Sequence, residues 1–101
     1  MIYIKKHPTD NGEMVAMCDE ELLGKIFTEG KIELDLEKYS EFYRGELMDE
    51  EKAKKYVGYS LYTANIVGKR SVAIVIEKGL VSEDSVRRIA GVEVVQIFMI
   101  K

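Results

Sequence analysis

Lys52, Lys55, Tyr59, Tyr62 and Ile66 recur at i, i+3, i+7, i+10 and i+14. On a helix, at 100° per residue, these positions fall within about 80° of arc. The result is a basic stripe that runs into aromatics. Ammonium groups neutralise phosphates and phenol rings stack on bases, which is the equipment of a single-stranded RNA or DNA surface. Lys69-Arg70 follows at the expected helix end and Arg87-Arg88 lies in the last hairpin. The candidate nucleic-acid-binding set is therefore Lys52, Lys55, Tyr59, Tyr62, Lys69, Arg70, Arg87 and Arg88. Aromatics at helical spacing also serve as core, so Tyr59, Tyr62 and Ile66 have an alternative use against residues 39–47 or 71–81, with the lysines as a solvated rim. A third use is a patch buried by a second copy or a protein partner.

Other chemistry finds little to work with. Cys18 and His7 are the one thiol and the one imidazole, so a Cys–His nucleophile pair must use both. A hairpin turning across residues 8–12 sets His7 opposite Glu13 and Cys18 opposite Ile2, about five residues or roughly 17 Å apart at strand rise. Cys18 then reads as a small buried apolar residue and His7 as a solvated strand end. Zinc needs three or four Cys/His ligands, and the spacing of a calcium loop is missing from Asp19-Glu20-Glu21. There is no Walker A sequence, no G-x-G-x-x-G and no G-x-S-x-G. The expectation is no metal, no cofactor and no catalytic constellation.

These residues need elements to position them. Ile2 to Lys6 and Glu13 to Cys18 read as strands, and Lys31 to Leu36 alternates as a half-buried strand. Tyr39 to Leu47 reads as irregular cover over a core edge. Asp49 caps a main helix run from Glu50 to Val67 and ended by Gly68. Ala53, Tyr56, Val57, Ser60, Leu61, Ala64 and Val67 form its apolar face. For residues 71–81, Ser71 as cap and Gly79-Leu80 as exit favour a second helix over a buried strand at Val72 to Ile76. Ser85 to Ile89 and Val92 to Ile100 are strands joined around Ala90-Gly91. The expected fold is α+β, a two-layer domain with helices packed on one face of an antiparallel sheet.

The run Cys18-Asp19-Glu20-Glu21-Leu22-Leu23-Gly24-Lys25 stands apart. Asp19 offers a carboxylate to cap a one-turn helix, Glu20 and Glu21 favour its dipole, and Gly24 ends it. Asp49-Glu50-Glu51 repeats the device. The run resembles an archaeal family known as domain of unknown function 424. Phe42-Tyr43-Arg44-Gly45-Glu46, Ala64-Asn65-Ile66-Val67-Gly68, Ser71-Val72, Gly79-Leu80 and Ile89-Ala90-Gly91-Val92 extend the likeness over almost the whole chain. The resemblance implies a small cytoplasmic archaeal protein with a compact mixed α/β fold. It implies no substrate and no catalytic residue.

At 101 residues, 47% apolar and 33% charged, the chain reads as one globular domain, residues 1–101. No apolar stretch has the length of a membrane span and the first residues lack a signal-peptide core. With a single cysteine, these features set the expectation of a reducing cytoplasm and no membrane partner. The scarcity of Gln and Asn beside many Glu and Lys leans to a warm-growing source. The net charge of −3 hides a polarity. Residues 1–51 hold 6 Lys/Arg against 14 Asp/Glu, and residues 52–101 hold 9 against 4. The halves either interleave and neutralise each other or leave a bipolar molecule with a basic face. The function expected is a non-enzymatic module that binds RNA or a ribonucleoprotein through the basic–aromatic helix face. The alternative is a homodimer or protein adaptor using that face.

Overall fold

The computed structural model describes residues 1–58 and 61–98. Strands β1 (Ile2–Thr9) and β2 (Gly12–Asp19) run further into their turn than the sequence suggests, leaving only Asp10-Asn11 as the loop. Thr9 Oγ1 accepts the Asn11 N–H at 3.2 Å and donates to the Gly12 carbonyl at 2.5 Å. Two-residue loops fix register, and here His7 faces Met14 and Tyr3 faces Cys18, one residue off the expected pairing.

A 3-10 turn (Glu20–Leu22) leads to β3 (Ile26–Glu29), which the sequence reading missed and which pairs with β4 (Ile32–Asp35). The stretch expected to be irregular holds α1 (Ser40–Tyr43) and β5 (Glu46–Met48). Helix α2 (Glu50–Tyr56) starts as expected, with the Asp49 carboxylate accepting the Lys52 N–H at 2.8 Å. It stops at Val57, and residues Leu61–Val67 are strand β6. The single long helix over residues 50–67 is therefore corrected. The chain turns extended at Val57 (ψ 107°), and β6 lies centrally with both faces largely buried, so its apolar residues satisfy a helical period and a strand period alike. Helix α3 (Lys69–Glu77) occupies most of the ambiguous stretch, and β7 (Arg87–Ile89) and β8 (Val92–Phe98) form the last hairpin. Ala90 and Gly91 take φ of +51° and +82°, as a type I′ turn requires.

The described strands form a six-stranded sheet in the order β5-β1-β2-β6-β8-β7, with β3 and β4 as a separate pair. Every neighbour in the large sheet is antiparallel except β2 and β6, which run parallel. The expected antiparallel sheet is thus mixed, because a long excursion between β2 and β6 returns the chain in the same direction. The class is α+β. Helices α2 and α3 pack on one face, where Ile4, Met17, Ala64, Ile66, Val95 and Ile97 meet Ala53, Val57, Val72 and Val75. On the opposite face a smaller cluster holds Ala16, Cys18, Leu36, Tyr43, Val67 and Val92. Phe27 and Leu34 of the β3–β4 hairpin pack against it.

Candidate functional site

The acidic run after β2 has a structural task, though not the expected one. Asp19 is 1% exposed and makes no capping bond to the turn that follows it. Its Oδ1 accepts the Ser71 N–H at 2.9 Å and the Ser71 hydroxyl at 2.7 Å, and Oδ2 accepts the Arg70 N–H at 3.1 Å. Asp19 thus caps α3 across the fold, and Ser71, expected as the cap, lies inside the helix. A carboxylate on those N–H groups balances the helix dipole from within the protein. Gly68, the residue before α3, has φ +104°, and a Cβ there would stand 2.7 Å from the Asp19 Cβ and closer still to its carboxyl group. Only glycine fits at this approach.

Cys18 and His7 remain apart, four residues along the hairpin or about 13 Å at strand rise. Burial pushes the Cys18 thiol up to about 12, helped by Asp19 and then Glu21. His7 is half-buried, not solvated as expected. Its ring stacks on Phe42 at 4.8 Å and its Nε2 lies 3.0 Å from the Phe42 carbonyl. Among the described residues no three His, Cys, Asp or Glu side chains are grouped to hold a metal ion.

The eight expected nucleic-acid contacts do not share a helix face. Lys52 and Lys55 are exposed on α2, whereas Tyr62 is half-buried in β6 and Ile66 is 1% exposed in the core. Tyr59 lies outside the described residues. The basic–aromatic helix stripe is corrected for the same reason as the helix. Several cations are also engaged. Lys52 pairs with Glu46 at 3.9 Å, and Arg70 pairs with Glu21 and, at 3.6 Å, with Glu50. Lys69 is exposed at the start of α3. Arg87 and Arg88, consecutive on β7, fall on opposite sheet faces, with Arg87 opposite Val94 and Arg88 opposite Glu93.

Arg87 leads to a surface the sequence reading missed. On the sheet face away from α2 and α3, beyond the cover of the β3–β4 hairpin, lies a groove of about 460 Å³. Val67 and Val94 form its floor, with Tyr43 on one side and Arg87 and Ser85 on the other. Asn65 of β6 and Gln96 of β8 are cross-strand partners in it, with Gln96 Nε2 donating to Asn65 Oδ1 at 2.9 Å. Phe98, two residues along β8 on the same face, is 68% exposed. No described carboxylate lines this groove, in a chain with 18 Asp and Glu. A second concavity around Arg88 is instead lined by Glu83, Asp84 and Glu93. Burial pushes the Tyr43 phenol up to about 12, so it lines the groove as a neutral group. The available signal was period two in Val92–Phe98. Gln96 and Phe98 share the strand face of Val92 and Val94 but lie exposed beyond the cluster that buries Val92.

This arrangement spaces a cation, two carboxamides and an aromatic face along one groove. Comparison with known proteins adds lineage. The family described as protein of unknown function (DUF424) matches over residues 7–100. The chain belongs to that family. A solved structure, that of an uncharacterized conserved protein from the archaeon Methanopyrus kandleri, is similar with a TM-score of 0.80 and 27% identity. The match covers 96% of this chain and 90% of that one. No curated protein matches significantly. No helix among the described residues is long and apolar enough to cross a membrane.

Proposed function

We propose that this DUF424 protein is a non-enzymatic module that binds single-stranded RNA, free or within a ribonucleoprotein, in an archaeal cytoplasm. The site moves from the helix stripe to the sheet groove. On this reading a two-layer scaffold of sheet and helices, residues 1–101 as one domain, leaves open the part of the opposite sheet face that the β3–β4 hairpin does not cover. The observation that carries the proposal is the exposed Phe98 with Arg87 four residues or about 13 Å along the same groove, whose described lining has no carboxylate. An exposed ring offers a base its face and a guanidinium offers a phosphate paired donors. No described carboxylate stands within 4.0 Å of Arg87, or of Lys69, which is exposed at the start of α3 and outside the groove lining. Lys52 and Arg70, already paired, contribute less.

Titration of a labelled mixed-sequence RNA at about 50 and 200 mM salt tests this. Two or three phosphate contacts predict roughly tenfold weaker binding at the higher salt. Phe98→Ala should weaken binding by about 1–3 kcal/mol, the worth of one stacked base, and Arg87→Glu should weaken it further, whereas Lys55→Glu on the outer side of α2 should leave it nearly unchanged. Absence of RNA binding at both salts rejects the proposal. Concentration-dependent self-association that Phe98→Ala abolishes and salt does not would instead favour a homodimer or a protein adaptor.

A further inference from the structure

We propose that the Asn65–Gln96 couple lets the groove accept bases of either hydrogen-bonding polarity, so that its RNA is selected as a single strand and not by amino or keto base identity. The inference rests on the reading of the groove as an RNA site. The two residues face each other across β6 and β8, and one hydrogen bond of 2.9 Å joins their carboxamides. Each carboxamide carries an oxygen acceptor and an NH2 donor. The bond between them uses one of each and leaves an Asn65 N–H beside a Gln96 oxygen. When both amides rotate by half a turn, Asn65 donates to Gln96, and the donor left over belongs to Gln96 and the acceptor to Asn65. The internal bond survives and the polarity of the exposed edge reverses.

The four bases divide along the same line. On their pairing edges adenine and cytosine set an amino donor beside a ring-nitrogen acceptor. Guanine and uracil set a carbonyl acceptor beside a ring N–H donor. A couple free to rotate meets both kinds at equal cost, and a fixed couple prefers one. Phe98 stands two residues from Gln96 on the same strand face, about 7 Å along it, so a base stacked on the ring has its edge toward the couple. Gln96 is exposed, which leaves room for the rotation, and no described charged group other than Arg87 lines the groove to bias it.

Twelve-residue oligo-C and oligo-U are the probes, because the two pyrimidines have similar stacking surfaces and opposite edges. The unaltered protein should bind them with dissociation constants within threefold of each other. Asn65→Asp makes position 65 an acceptor only, so Gln96 must donate to it and the exposed edge turns to acceptors. That variant should bind both probes more weakly and prefer oligo-C by more than threefold, because cytosine's amino group offers two N–H donors where uracil offers a single N–H flanked by two carbonyls that an acceptor edge repels. Gln96→Glu, on the more exposed partner, should produce the same preference and serves if Asn65→Asp does not fold. A preference of more than threefold for either probe in the unaltered protein, or no new preference in a folded locked variant, overturns the inference while leaving the RNA site standing. Failure of the unaltered protein to bind either probe overturns both.

Discussion

Asp19 shows how much one side chain does in this fold. It sits at the end of β2, accepts three hydrogen bonds from the start of α3 and fills the space that Gly68 leaves. Asp19→Ala strands buried N–H groups and should cost about 3 kcal/mol in chemical denaturation. Gly68→Ala should cost about 2 kcal/mol, since it strains a positive φ and collides with the carboxylate. The two losses should fall short of additive by about 1 kcal/mol, because removing the carboxylate removes the closest part of the collision and leaves only the 2.7 Å approach to the Cβ. Full additivity would deny the contact. An acidic residue before a short helical turn reads as that turn's cap, and the local reading of Asp19 follows that rule. The rule fails here because Asp19's partners stand more than fifty residues away in the chain.

At the scale of elements, the decisive difference is β6. Residues 61–67 extend the helical pattern of α2 in sequence and form a central strand in space. A helical Ile66 on an outer face would tolerate truncation. In the strand it is 1% exposed beside Val95, so Ile66→Ala should cost about 3 kcal/mol. Lys55→Glu, exposed on α2, should stay within about 0.5 kcal/mol. Amide exchange should rank residues 63–67 among the slowest in the chain, since their strand is paired on both sides. Elements with distinctive local chemistry were readable: the β1–β2 hairpin, the Asp49 cap and the Ala90-Gly91 turn, whereas α3 was only favoured over a buried strand. β3 was not readable, because Ile26–Glu29 is mostly exposed and alternates weakly.

Across the whole molecule the strands sort by sequence half. β5, β1 and β2 stand on one side of the parallel seam, and β6, β8 and β7 on the other. The acidic first half and basic second half meet where Arg70 pairs with Glu21 and Glu50, and where Glu29 Oε1 accepts the Ala90 N–H at 2.9 Å. Hydrogen bonding to its own backbone N–H, and then Arg70, hold the Glu21 carboxyl below its usual range. A depressed folded-state value adds stability above the unfolded value of about 4.3 and loses it as pH falls through the folded value. Glu21→Gln should therefore lose less stability than the unaltered protein between about pH 5 and pH 3. An equal loss would place the acid sensitivity elsewhere.

By itself the sequence determined the α+β class, the family, a buried Cys18, the Asp49 cap and the positive-φ turns, because each follows from composition or from residues adjacent in the chain. Only tertiary structure decided that residues 61–67 are a strand, that the sheet is mixed, that Asp19 serves α3, and that Asn65, Gln96, Phe98 and Arg87 share one groove. Those four residues come from three strands, and their proximity depends on pairings between residues up to 35 positions apart, which no local pattern encodes.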